Sequence, residues 1–176
     1  MHWKTHACEV RSLRAEDAAS LARQANNPRV SANLRDRVPW PYTVADAEAF
    51  LAATIGREPE IRFAIDVGGE AVGAVGFELH DDIERCTAEV GYWLGEEFWG
   101  RGILTDVLCT LTPWAIESFD LTRVFAVPFA DNPASHRVLE KAGYQLEGVM
   151  RRSAIKAGEV KDQRLYAYVP DPSSDG

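Results

Sequence analysis

Apolar residues recur along this chain in two rhythms, one of three and four and one of two. Ala18, Leu21, Ala22 and Ala25 fall on one helix face behind Ala15, Glu16 and Asp17, after a short strand over Val10 to Leu13. Asn26, Asn27 and Pro28 end that helix. A loop from Arg37 to Thr43 follows. Thr43 then caps a second helix, with Asp46 three residues on and Ala49, Phe50 and Ala53 as its buried side, and Gly56 to Glu60 breaks it.

The middle of the chain reads as strands: Arg62 to Val67, a Gly68-Gly69 turn, Ala71 to His80, an acidic turn at Asp81 and Asp82, then Thr87 to Leu94. Gly102 to Phe119 is helical, with Leu104, Leu108, Leu111 and Ala115 as its stripe, and Pro113 should kink it by removing a hydrogen bond to Cys109. Arg123 to Phe129 is a buried strand, and Asn132 to Ala142 a short helix stopped by Gly143. Strands near Tyr144 to Glu147 and Gln163 to Val169 close the pattern. With no repeat or long linker, the expectation is one domain over residues 1–170. The polar end, from Pro170 to Gly176, is expected to be a disordered tail.

The 176 residues are 46% hydrophobic and 26% charged, as in a globular domain. A net charge of -8 argues against nucleic acid and favours a cationic partner. No apolar run approaches the roughly 20 residues that cross a bilayer. Met1 to Val10 mix His2, Lys4, His6 and Glu9, so neither a membrane span nor a secreted precursor is expected. Cys8, Cys86 and Cys109 cannot all pair and share no Cys-x-x-Cys spacing, which fits a reducing cytoplasm. His2, His6 and Cys8 sit at what reads as a frayed terminus, and no metal is expected.

The chemistry concentrates in Gly91 to Thr105, a strand leading into a glycine-bearing turn and then a helix. This is an anion cradle: the first helical turn has N–H groups without internal partners, and Gly100 and Gly102 let phosphates approach the main chain. A plain tight turn is the bland alternative. The Walker and Rossmann spacings both fail. A second stretch, Ala130-Asp131-Asn132-Pro133-Ala134-Ser135-His136-Arg137-Val138-Leu139-Glu140-Lys141-Ala142-Gly143-Tyr144, follows the next buried strand.

Together with Trp99-Gly100-Arg101-Gly102, that stretch resembles the GNAT superfamily of acetyl-CoA-dependent N-acetyltransferases, and most of all its RimJ/RimL branch of ribosomal-protein N-terminal acetyltransferases. The resemblance covers roughly Val10 to Val169, including the Pro39-Trp40-Pro41-Tyr42-Thr43 loop and the Glu147-Gly148 and Asp162-Gln163 pairs. It implies an α/β (α+β) fold with a central, mostly antiparallel mixed sheet, splayed into a V between its two middle strands and flanked by helices. It also implies that the family's phosphate loop, Gln/Arg-x-x-Gly-x-Gly/Ala, maps onto Glu97-Phe98-Trp99-Gly100-Arg101-Gly102. Glu97 departs from that pattern. On this basis Trp93, Leu94, Trp99, Gly100, Arg101, Gly102, Ile103, Leu104, Thr105 and Asn132 are the expected acetyl-CoA contacts, with a backbone N–H near Trp93 and Leu94 polarising the thioester carbonyl.

Amine acetylation removes one proton from the amine and supplies one to the departing thiolate. The family pattern makes Asn132 the residue that orients the pantetheine and Ser135 the acid. Both are also good caps for a helix with Pro133 at its start. Tyr144 reads as core. Glu89 is the catalytic base of choice, beside Glu78 and Asp162, with a salt bridge or a base-free path through water as alternatives. His80 and His136 weigh less, and His136 reads as a surface residue. Arg101, Arg137 and Lys141 would suit a basic rim or a solvated surface. Trp40 and Tyr42 are the expected acceptor contacts, opposite the nucleotide and near the turn at Lys156, Gly158 and Glu159, unless their loop is packing.

The resulting expectation is an acetyl-CoA:amine N-acetyltransferase whose acceptor is a protein N-terminus or a small amine, with a homodimer compatible. A noncatalytic acyl-CoA-binding sensor or regulatory module is the alternative.

Overall fold

The computed structural model describes residues 1–171. The expected tail therefore lies, from residue 172 onward, outside the described residues. The strands are β1 (His2–Lys4), β2 (Glu9–Ser12), β3 (Arg62–Val67), β4 (Glu70–Leu79), β5 (Thr87–Leu94), β6 (Arg123–Ala126), β7 (Gln145–Lys156) and β8 (Glu159–Tyr168). The helices are α1 (Ala18–Ala25), α2 (Pro28–Ser31), α3 (Val44–Thr54), α4 (Ile103–Phe119) and α5 (Pro133–Lys141). The sheet has the strand order β1-β2-β3-β4-β5-β6-β8-β7. The β5–β6 pair is parallel, whereas β1–β2, β2–β3, β3–β4, β6–β8 and β7–β8 are antiparallel.

The described residues fall into two compact units, residues 1–76 with 92–107 and residues 77–91 with 108–171. In the first unit α1 and α3 bury one cluster, Leu13, Ala18, Leu21, Ala22, Ala47 and Leu51, against Ala64 of β3 and Ala71 of β4. The Thr43 hydroxyl accepts the Asp46 N–H at 3.2 Å, and the Asp46 carboxylate accepts the Thr43 N–H at 2.8 Å, the reciprocal cap the sequence announces. The buried face of α3 is Ala47 and Leu51, not Ala49 and Ala53, which are exposed; Phe50 is half-buried. Alanine lies on every side of this helix, so the large Leu51 decides which side turns inward.

Two further expectations change in the structure. The N-terminus is not frayed: β1 pairs with β2, Trp3 lies edge-on to Phe63 at 5.0 Å, and the Met1 amino group meets Ser12 Oγ at 2.6 Å. Pro28 ends α1 but also opens α2 as its first residue, with the Asn27 side chain accepting the Arg29 N–H at 2.8 Å. Below the α1 cluster lies an ionic group the hydrophobic pattern does not show. The Arg11 guanidinium, 4% exposed, clasps Asp17 through two bonds of 2.8 and 2.9 Å and reaches Asp66 at 2.7 Å.

In the second unit α4 presents Leu108, Leu111, Thr112 and Ala115 inward, and Phe77 packs on Trp114 at 6.1 Å. Leu104, expected on this stripe, is only half-buried; Ile103 and Val107 take its place. Pro113 lies on the exposed side and α4 runs through it without a break. The β5–β6 register covers only Thr87–Glu89 and Arg123–Phe125. The β6 strand ends at Ala126, short of the expected Phe129, which instead makes an isolated bridge to Gln163. The last hairpin is far longer than expected. On β7, residues 151–153 bulge opposite Asp162, whose carboxylate accepts the Arg152 N–H at 2.7 Å.

Candidate active site

The strand β5 leaves the sheet through a short turn, Glu96–Phe98, and re-enters regular structure at α4. Two contacts fix this exit: the Gly95 N–H donates to the Val72 carbonyl at 2.8 Å, and the Trp99 indole N–H donates to the Leu94 carbonyl at 2.8 Å. Gly100 and Gly102 then adopt φ of +73° and +76°, a region that disfavours any residue with a Cβ. A Cβ at either position would meet no described atom within 4 Å. Their outer side is therefore open.

The Asp106 N–H donates to the Gly102 carbonyl at 3.0 Å, which is the first bond of α4. The N–H groups of Ile103, Leu104 and Thr105 precede it, so they have no partner within their own helix. Open glycine faces beside successive amides at the positive end of a 17-residue helix form the donor set a pyrophosphate requires. The residues present thus fit the phosphate end of a coenzyme. Ile103 is buried, Leu104 and Thr105 are half-buried, and Arg101 is exposed, its guanidinium donating to the Glu97 carbonyl at 2.6 Å. Trp93 is half-buried on the α1–α3 cluster.

The turn itself is strapped down by residues the hydrophobic pattern passes over. The Gln24 amide donates to the Glu97 carboxylate at 2.8 Å and the Asn27 amide to Glu96 at 2.7 Å. Arg29 pairs with Glu96 and covers the Trp99 ring at 5.3 Å. Asn27-Pro28, a capping signature in front of a helix, was the available signal for this strap.

Also in the first unit, Trp40 is 50% exposed. Tyr42 packs, half-buried, against the α1–α3 cluster, and its N–H donates to the Asn26 side chain at 3.2 Å. Burial, with a smaller contribution from the Asp46 charge, holds its hydroxyl above the usual phenol range.

In the second unit Asn132 caps α5: its side-chain oxygen accepts the Ser135 N–H at 3.3 Å, with Pro133 in the first turn. Ser135 is half-buried. His136 is not a surface residue. It is 6% exposed, its Nε2 lies 3.0 Å from the Phe129 carbonyl, and its ring stacks on Tyr166 at 5.6 Å. The turn from β6 into α5 folds this face of the helix inward, and burial pulls the imidazole below its usual range. Tyr144 is 2% exposed, its hydroxyl 2.7 Å from that of Thr112.

Of the three carboxylates, Glu89 is half-buried opposite Phe125, Glu78 is exposed, and Asp162 is taken up by the β7 bulge. His80 lies edge-on to Phe125 at 5.4 Å and 3.5 Å from Glu84. Arg137 and Lys141 are exposed. Among the described residues no group of His, Cys, Asp and Glu forms a metal site, and no helix is long and apolar enough to cross a membrane.

The mixed sheet, flanked by helices and with a glycine-bearing turn opening a long helix, is similar in fold to a solved acetyltransferase (GNAT family) from Bacillus anthracis, with a TM-score of 0.82, 20% identity and coverage of 96% and 98%. Residues 8–145 match the family described as Acetyltransferase (GNAT) domain, and the chain belongs to that family. It is 35% identical over 100 residues to an uncharacterized N-acetyltransferase, YoaA, of Bacillus subtilis (strain 168), covering 57% of this chain and 56% of that one. It is 32% identical over 109 residues to the ribosomal-protein-serine acetyltransferase of Escherichia coli (strain K12), covering 62% and 60%. The matches thus span little more than half the length of these relatives. In fold the chain is similar to Mycobacterium smegmatis RimJ, solved in complex with CoA-disulfide, with a TM-score of 0.83, 22% identity and coverage of 96% and 86%.

Proposed function

We infer that this protein transfers the acetyl group of acetyl-CoA to a primary amine. The observation that carries the reading is the loop from Trp99 to Thr105, open beside Gly100 and Gly102 at the N-terminus of α4, in a chain of the GNAT family. In this reading Ile103, Leu104 and Thr105 offer their amides to the pyrophosphate, and Arg101 lies at its rim. Main chain at Trp93 and Leu94 holds the pantetheine and stabilises negative charge developing on the thioester oxygen, a contribution of about 3 kcal/mol for one well-placed donor. Asn132 orients the pantetheine.

The amine nitrogen bonds to the acetyl carbon as the carbon–sulfur bond breaks. The proton lost by the amine goes to Glu89, directly or through water, and Ser135 supplies one to the leaving sulfur. Trp40 and Tyr42 contact the acceptor. A protein N-terminus is the acceptor we favour, supported by the likeness to the E. coli ribosomal-protein-serine enzyme. An acidic chain, at net charge -8, suits any cationic amine.

The test is thiol release from acetyl-CoA across a panel of ribosomal-protein N-terminal peptides, polyamines and aminoglycosides. Turnover with peptides is expected. Tight coenzyme binding without turnover on any amine would replace the reading with a noncatalytic acyl-CoA-binding module.

A further inference from the structure

The first position of the phosphate loop carries a charge of the wrong sign. Glu97 stands one turn ahead of Gly100 and Gly102, and Glu96 stands beside it, so two carboxylates border a loop suited to phosphates. Neither carboxylate is loose. Glu97 receives the Gln24 amide at 2.8 Å, and Glu96 receives Asn27 at 2.7 Å as well as Arg29. The two carboxylates, with Gln24 and Asn27, line an open polar depression of about 520 Å³ on the α1 side of the turn.

Gln24 is itself built in. It is 6% exposed, and a Cβ at residue 95 would lie 2.1 Å from its amide oxygen. Glycine at 95 is what lets this side chain lie flat on the turn. A long polar side chain is therefore buried, at the cost of its rotamer freedom, in the one place where it grips the loop carboxylate.

We propose that Gln24 is a positioning residue for the phosphate loop: it holds the Glu97 carboxylate on the α1 side and so removes a repulsion that would otherwise oppose the phosphates. This rests on the coenzyme reading above. An unrestrained carboxylate within a few ångströms of a phosphate at surface dielectric weakens binding by about tenfold. The repulsion is electrostatic and therefore fades with salt.

The experiment is calorimetric titration of coenzyme A into the full chain, at low and high salt, with melting temperature recorded for every variant. Gln24→Leu is expected to bind about tenfold more weakly at low salt, with the gap closing to about threefold or less at high salt. Adding Glu97→Gln to it should restore affinity to within about twofold. Glu97→Asp keeps the charge but shortens it beyond the reach of Gln24, and tests the same idea at an exposed position should Gln24→Leu fail to fold. It should bind more weakly than wild type, whereas Glu97→Gln should bind at least as tightly. A double variant no better than Gln24→Leu, or Glu97→Asp binding like wild type, overturns the proposal while the coenzyme reading stands. A wild-type chain that takes up no coenzyme A overturns both.

Discussion

Replacing Arg11 with Met should cost this protein a large part of its stability. The guanidinium makes four bonds: two to Asp17 at 2.8 and 2.9 Å, one to Asp66 at 2.7 Å and one to the Ser12 carbonyl at 3.1 Å. All three charged residues are 4–5% exposed. Methionine fills similar space but leaves two carboxylates buried beside each other without a cation. Each keeps one backbone donor, Arg14 N–H to Asp17 at 2.8 Å and Gly69 N–H to Asp66 at 2.7 Å. The loss should therefore stay within the range for breaking one buried pair, about 3–5 kcal/mol. For a chain this long that is a drop of roughly 6–20 °C in Tm.

Urea unfolding at pH 7 measures the loss directly, and its pH dependence identifies the cause. Burial pushes the Asp17 carboxyl up, but the Arg11 hydrogen bonds, the Arg14 amide and the Arg11 charge outweigh it and hold the group below its ordinary value. A depressed carboxyl stabilises the fold above the unfolded value of about 3.9, and that contribution disappears as pH falls through the folded value. Without Arg11, burial dominates and the carboxyl rises, so protonation relieves the variant as the medium is acidified. The gap between wild type and variant should thus be widest at pH 7 and narrow toward pH 4. A loss below about 1 kcal/mol, or a gap constant with pH, would refute the buried network.

The elements that sequence periodicity locates well are those with one buried face and clear punctuation. The β3–β4 hairpin around Gly68-Gly69 and the Thr43–Asp46 cap fall where they are expected. The edges are read less well. In β7, Leu146, Val149, Met150 and Ile155 are exposed and a bulge resets the alternation at residues 151–153, so no clean period-two pattern survives. Likewise β1 offers a single apolar position, Trp3, too little for a periodic signal, and it exists because β2 pairs with it. The glycine turn ahead of α4 was legible because its positive-φ positions favour glycine, so composition and spacing carry the message. The Gln24–Glu97 contact that helps strap it down was not, because the two residues are 73 positions apart and neither is unusual alone. For the same reason nothing in the sequence links Arg11, Asp17 and Asp66, which lie far apart or out of register until the fold buries them together.

Gly102→Val introduces a branched side chain into open space at positive φ, which should cost about 1–2 kcal/mol of backbone strain and lower coenzyme A affinity at least tenfold by calorimetry. Unchanged affinity in a folded variant would move the phosphates elsewhere. Ser135→Ala separates chemistry from capping, because the Asn132 side chain accepts the Ser135 backbone N–H and needs no hydroxyl. Turnover should fall while affinity holds and stability shifts by no more than about 0.5 kcal/mol; a parallel loss of binding and stability would mark the serine as structural. Burial of His136 pulls its folded imidazole below the ordinary value of about 6.5 and makes the unfolded chain the better proton acceptor. Stability should therefore fall as pH drops below about 6.5. His136→Phe keeps a ring stacked on Tyr166 but cannot titrate, so it should flatten that part of the curve even though the Phe129 carbonyl loses its contact with the ring nitrogen. An acid slope between pH 7 and pH 5.5 that is the same in wild type and variant would place its origin in another group.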